Sequence, residues 1–265
     1  MGGAERNARK RKQQQTAARS VAQARGVAGG DKKKVVAITV AVVVLAALVI
    51  GGVIWTTSSK DSTAGRVIQP QASTAVAPGV VQKRDGAVVV VGKPEATKTI
   101  DIYADFLCPI CKQFEEKFKD QIQEQVNNGV LQVRYHMLPM LNQRSDPPGY
   151  SMDSANASLA AADAGKFLAF HDALFKDQPQ EGGRGFDKGQ LIKLGQDVGI
   201  TDPAFATAVN TGVYEQQIQD AYKKTSTDPS LQQDFGNGPG FGTPTVASNG
   251  QVVKLEDGWV QKVVA

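Results

Sequence analysis

The chain has 265 residues, only two cysteines and a formal net charge of +4. The charge is divided: residues 1–34 carry ten Lys or Arg against two acids, a net of +8, while the remainder carries 20 bases against 24 acids, a net of −4. Two cysteines exclude a disulfide-stapled scaffold. Basic character confined to one tail with no interleaved aromatics argues for a topology signal and attraction to anionic membrane lipid rather than for nucleic acid.

Residues 1–34 read as a basic cytoplasmic tail. Residues 35–55 follow as 21 residues without a charge. As a helix they would span about 31 Å, close to the ~30 Å hydrocarbon core of a bilayer. Lys32, Lys33 and Lys34 precede this run and Trp55 ends it. The positive-inside bias therefore predicts a single-pass helix in the plasma membrane, with everything after it outside. A cleaved signal peptide is the other reading. Signal cores run about 7–15 residues, which is shorter, and Ser62-Thr63-Ala64 is a weak cleavage site. Either way the rest of the chain enters an oxidising compartment. Residues 56–79, rich in Ser, Thr, Ala and Pro, predict a flexible linker.

Residues 80–265 are long enough for one domain with its own core. A strand starts near Val80, Arg84-Asp85-Gly86 makes a turn, and Ala87 to Val91 is a β-branched run. Thr99 to Tyr103 predicts the next strand. From Pro109 the apolar residues Ile110, Phe114, Phe118, Ile122 and Val126 recur every four positions, one stripe of a helix. Asn127-Asn128-Gly129 stops it, and Val130 to Leu138 alternates as a strand, which completes a β-α-β unit. From about residue 147 to 231 the pattern is helical, with an Ala-rich stretch at Ala155–Ala164, a helix start at Thr201-Asp202-Pro203 and a further helix over Val213–Tyr222. Thr245–Ser248 and Gln251–Lys254 flank Asn249-Gly250, a hairpin signal. The fold class predicted is α/β: a thioredoxin fold with an inserted helical domain, following a transmembrane helix and linker.

The two cysteines sit three apart, as Cys108-Pro109-Ile110-Cys111. A strand that delivers C-x-x-C to the start of a helix is a thioredoxin-like redox arrangement. Cys108 stands just before the helix, where unpaired N–H groups and the positive dipole end favour a thiolate. It is expected to be the exposed nucleophile, with Cys111 in the first turn as the more buried resolving thiol. Pro109 suits the first helical position, since its missing N–H would be unpaired there anyway. Ile110 completes the dipeptide that tunes the thiolate. A structural zinc would need two further ligands. The two histidines, His136 and His171, are not spaced to supply them, and both read as packed or surface residues. Thr243-Pro244 begins the late strand, and the bond is expected to be cis, facing the dithiol, with the Thr243 backbone open to a substrate strand. The glycines from Gly236 to Gly240 read as a turn and not as a phosphate loop, because no helix follows them.

The run from Asp105 to Glu116, DFLCPICKQFEE, resembles the active-site segment of DsbA-like thiol–disulfide oxidoreductases. Phe170 to Phe175 is similar to that family's helical insertion, and Gly242-Thr243-Pro244-Thr245 to its cis-proline loop. The membrane-anchored layout is similar to that of Gram-positive and actinobacterial members. The resemblance implies oxidation of paired cysteines in exported proteins, re-oxidation by a quinone-linked membrane partner of the DsbB or VKOR kind, and no bound cofactor. Glu115 matches a family acid near the site. Position 102, often a buried acid in such enzymes, is isoleucine here, so Asp105, Glu115 or solvent would move the resolving proton. Disulfide donation is the leading reading. A reductase or isomerase is the alternative within the same chemistry, and a membrane-tethered peptide-binding or chaperone module is the alternative outside it.

Overall fold

Residues 62–70, 76–236 and 238–265 are described by a computed structural model. The basic tail, the apolar run at 35–55 and part of the predicted linker lie outside the described residues. Among the described residues no helix is long and apolar enough to cross a membrane.

Four strands and one helix make the frame that carries the cysteines. Strand β1 (Val81–Asp85) pairs antiparallel with β2 (Val88–Gly92), and β3 (Lys98–Ala104) leads into helix α1 (Pro109–Asn127). Strand β4 (Leu131–Met137) returns parallel to β3, as a β-α-β crossover requires. β-Branched and aliphatic residues of these strands (Val89, Val91, Ile100, Ile102, Leu131 and Val133) bury one face of the sheet. The stripe Phe114, Phe118, Ile122 and Val126 on α1 joins the same core. Helix α1 stops at Gly129, whose φ of +78° suits a residue without Cβ.

The helical insertion holds α2 (Tyr150–Asp163), α3 (Phe167–Lys176), α4 (Lys188–Asp197), α5 (Pro203–Thr211) and α6 (Glu215–Ser226). Helix α2 begins five residues before the Ala-rich stretch that announced it. Its polar residues Ser151, Ser154 and Asn156 are buried rather than solvated, which blurs the helical period in the sequence. The Ser154 hydroxyl donates back to the Tyr150 carbonyl at 2.6 Å, and Asn156 bonds the backbone of Ala208 and Tyr214. Asp187 and Gln190 form a capping box on α4, and Asp202 caps α5 ahead of Pro203. Helix α6 starts at Glu215 rather than at Val213, because Gly212 takes φ +65° and a turn intervenes.

Strands β5 (Gln233–Asp234) and β6 (Pro239–Gly240) pair as a small separate hairpin where the sequence reading has only a flexible turn. Strand β7 (Thr245–Ser248) then joins β3 antiparallel, and β8 (Gln251–Val252) follows across Asn249 and Gly250, both at positive φ as a type I′ turn needs. β8 is shorter than the predicted Gln251–Lys254. The sheet order is β1-β2-β4-β3-β7-β8. A short helix, α7 (Trp259–Val264), closes the chain by laying Trp259 against Phe114 and Phe118 of α1, with ring centroids 6.3 and 5.7 Å away.

The linker reading of residues 56–79 needs correction. Within it, residues 62–70 are docked on the insertion: Thr63 and Ile68 are fully buried. The Thr63 hydroxyl lies 2.9 Å from the carbonyls of Arg184 and Gly185, and Gln190 donates at 2.7 Å to the carbonyls of Thr63 and Arg66. A Ser/Thr-rich composition does not distinguish a solvated linker from one whose polar groups find fixed partners elsewhere in the chain.

Candidate active site

Strand β3 ends at Ala104, and Asp105–Leu107 turn the chain into α1. The Cys108 N–H donates to the Asp105 carbonyl (3.0 Å) and the Leu107 N–H to its carboxylate (2.8 Å). Cys108 is the N-cap, with extended φ/ψ and no side-chain cap, and Pro109 is the first helical residue. The sulfur of Cys108 therefore lies beside the free N–H groups of the first turn. The Cys108 thiol also lies 3.3 Å from the carbonyl oxygen of Thr243, in the loop that opens β7. The Thr243–Pro244 peptide bond is cis. That loop is pinned from behind: the Thr245 hydroxyl donates to the Gly242 carbonyl at 2.6 Å and accepts from Gln233 at 2.8 Å.

Sequence reasoning expects Cys108 to be exposed. Instead it is 5% exposed, and Cys111 is 1% exposed. The Thr243 loop accounts for the difference, because it lies against the sulfur and sequence distance conceals it. The exposed part of the motif is Pro109 and Ile110, with Ile110 61% open to solvent. The two thiols differ electrostatically. The hydrogen bond from Cys111 is the largest influence on Cys108 and, with the Thr243 side chain and the N–H groups of Cys111 and Ile110, lowers it from 9.0 to about 6 against the opposing effect of burial. Burial first, then the bond to Cys108 and its charge, push Cys111 well up. Near neutrality the arrangement holds one thiolate and one thiol.

Asp105 is fully buried beneath this turn. Its carboxylate accepts from the Leu107 N–H, the Leu141 N–H (2.7 Å) and the Ser151 hydroxyl (2.7 Å), tying the turn to the β4–α2 loop and to α2. Burial raises its pKa from 3.8 to about 6, these hydrogen bonds oppose the rise, and the charge on Cys108 adds to it. Glu115 lies one turn beyond Cys111 and faces the insertion. Its carboxylate is 3.8 Å from His171 Nε2 and borders a cleft of about 160 Å³. Burial is the main cause that raises its pKa; Asp172 adds to the shift, and His171 and Lys119 oppose it.

His171 is enclosed by Phe106, Tyr135, Phe167 and Phe175, and its Nδ1 lies 3.2 Å from Asp172. His136 stacks on Tyr103 and bonds Asp101 at 2.7 Å. Both are packed residues. Ile102 is part of the apolar core. Among the described residues no group of His, Cys, Asp and Glu could hold a metal ion.

Tertiary structure adds residues that the sequence does not single out. Met140 Sδ receives the Thr243 hydroxyl at 3.7 Å. Leu141 and Ser151 hold Asp105. The Gln178 amide donates to the carbonyls of Phe106 and Cys108, at 3.0 Å each. A lone glutamine after a helix carries no local signal of that role.

A family model described as thioredoxin matches residues 84–261. Over 184 residues the chain is 30% identical to the serine/threonine-protein kinase PknE of Mycobacterium tuberculosis, a match that covers 66% of this chain and 31% of the kinase. The chain thus spans less than a third of that relative's length. Reduced DsbA from Mycobacterium tuberculosis is 25% identical with a TM-score of 0.53, covering 71% of this chain and 93% of that one. MdbA, a thiol–disulfide oxidoreductase from Corynebacterium diphtheriae, shares the fold at 21% identity and a TM-score of 0.58, covering 72% of this chain and 94% of that one. The family model covers most of the chain, and the solved structures share its fold: the chain belongs to the thioredoxin family and is similar in structure to DsbA-type thiol–disulfide oxidoreductases.

Proposed function

We propose that this protein introduces disulfides into exported proteins, with Cys108 as the exchanging sulfur and Cys111 as its resolving partner. The observation that carries this reading is the placement of Cys108 at the start of α1, 3.3 Å from the Thr243 carbonyl, above a more deeply buried Cys111. In the oxidised form the two sulfurs are bonded. A substrate thiolate attacks Cys108 Sγ, the Cys108–Cys111 bond breaks, and Cys111 leaves and takes a proton. The second substrate thiolate then attacks the substrate sulfur of the mixed disulfide and expels Cys108 as a thiolate. The substrate gains one disulfide and loses two electrons and two protons, and the dithiol gains the electrons. A thiolate of low pKa is a good leaving group, which favours this direction.

Pro109 and Ile110 present the motif to solvent, Thr243 and Pro244 offer backbone to an extended substrate, and Asp105 and Glu115 are the buried acids available to the resolving proton. Residues 1–34 form a cytoplasmic tail and 35–55 a membrane span, with residues 80–265 and the docked segment before them outside the cell. A quinone-linked membrane oxidase of the DsbB or VKOR kind takes the electrons.

The test is a Cys111→Ala chain expressed in the envelope, which stalls as covalent mixed disulfides whose partners name substrates and recycler. Absence of such adducts would remove the catalytic reading. A glutathione titration of the wild-type dithiol separates oxidant from reductant: a potential near about −270 mV, that of thioredoxin, would overturn disulfide donation.

A further inference from the structure

We propose that Gln178 is a positioning residue for Cys108, and that the segment 62–70 holds Gln178 in place. The inference rests on the reading of Cys108 as the exchanging sulfur.

Gln178 lies just past the end of α3, 70 residues from Cys108 in the chain. Its Nε2 donates at 3.0 Å to the Phe106 carbonyl and at 3.0 Å to the Cys108 carbonyl. An amide nitrogen has two hydrogens, and both are used on the turn that carries the sulfur. The Cys108 carbonyl also accepts the Lys112 N–H at 3.2 Å, the first bond of α1. Two donors on one carbonyl fix the Cys108 backbone at ψ 115°. That torsion sets where Sγ points relative to the N–H groups of Ile110 and Cys111, which favour its thiolate. The helix needs only the Lys112 bond. The second donor comes from another part of the fold.

The neighbour of Gln178 is held in turn. The Asp177 carboxylate accepts the Gln69 N–H at 2.8 Å and lies 3.6 Å from the Arg66 guanidinium. Both residues belong to the docked segment, which is anchored at Thr63 against Arg184 and Gly185 and at Ile68 in the main core. The segment ahead of the sheet therefore reaches the nucleophile through two adjacent residues, Asp177 and Gln178.

The test uses the full chain with three substitutions. Gln178→Ala removes both donors. Gln178→Glu keeps the shape and turns a carboxylate onto two carbonyls. Thr63→Val frees the anchor of the docked segment far from the dithiol. The readouts are the pH midpoint of Cys108 alkylation and the exchange equilibrium with glutathione. Gln178→Ala is expected to raise the midpoint by about one unit and to weaken oxidation about tenfold, about 30 mV for a two-electron couple. Gln178→Glu is expected to raise it further, and Thr63→Val to move it in the same direction by less. Midpoints unchanged in both Gln178 variants, with only the urea midpoint lowered, would reduce the bonds to fold stability and overturn the positioning role. A Thr63→Val midpoint equal to wild type would overturn the part given to the docked segment. A wild-type midpoint at the ordinary cysteine value would remove the functional reading itself, which the variants alone cannot do.

Discussion

The Cys108 sulfur and the Thr243 carbonyl, 135 residues apart in the chain, meet at 3.3 Å. This single approach joins the start of α1 to the loop before β7. It makes the dithiol a covered site, with Pro109 and Ile110 the exposed part of the motif, rather than an open one. A substrate strand lying along Thr243 would carry its cysteine to Cys108 by backbone pairing, with little demand on its side chains.

Alkylation of Cys108 should follow a midpoint near 6, and Cys111→Ala should raise it, because the bond from Cys111 is the largest influence on that thiolate. The sign for stability follows. The folded pKa lies below the ordinary 9.0, so this group stabilises the reduced fold above about pH 9 and loses that contribution as pH falls toward 6. Urea unfolding of reduced wild type and Cys108→Ser across pH 5–9 checks it; parallel stability curves would contradict it.

Asp105→Asn should lower the Cys108 midpoint further, since a like charge beside the thiolate is removed. The folded pKa of Asp105 is raised, from 3.8 to about 6. Its favourable contribution is therefore fully present below about pH 4 and lost as pH rises through 6, about 3 kcal/mol in all. The variant lacks that fall but leaves donors of Leu107, Leu141 or Ser151 unmatched, so it should be the less stable protein at pH 4, with a gap that narrows above pH 6. Denaturation at both pH values measures the gap, and a gap independent of pH would refute the assignment.

Trp259→Ala should cost about 3–5 kcal/mol, the usual loss for a large buried aromatic. Trp259 is buried against Phe114 and Phe118, so α7 is a clamp on the helix that bears the cysteines. Trp259→Phe should cost far less, because the indole N–H has no partner to lose. Equilibrium urea unfolding of the two variants tests both statements.

Gly195→Ala should destabilise by about 1–3 kcal/mol despite the higher helix propensity of alanine. A Cβ there would lie 2.1 Å from the Phe205 ring, where α4 and α5 cross. A thermal melt showing an equal or higher midpoint would mean that the two helices can separate without cost.

Local pattern alone determined the dithiol, the helix it begins, the β-α-β unit and the Asn249-Gly250 hairpin, because each depends on neighbours within a few residues. The four-residue stripe from Phe114 to Val126 and the Pro109 start are properties of one helix, legible without its partners. Contacts across the chain decided the rest. Ser151 and Ser154 look solvated until α2 is buried, and Thr63 looks like linker until Arg184 and Gly185 stand beside it. Cys108 looks exposed until the Thr243 loop covers it, and Gln178 is unremarked until its amide meets the Cys108 carbonyl. A polar side chain declares its role only when its hydrogen-bond partner is known, and for Ser151, Thr63, Cys108 and Gln178 those partners lie 46 to 135 residues away, where spacing along the chain carries no information about distance in space.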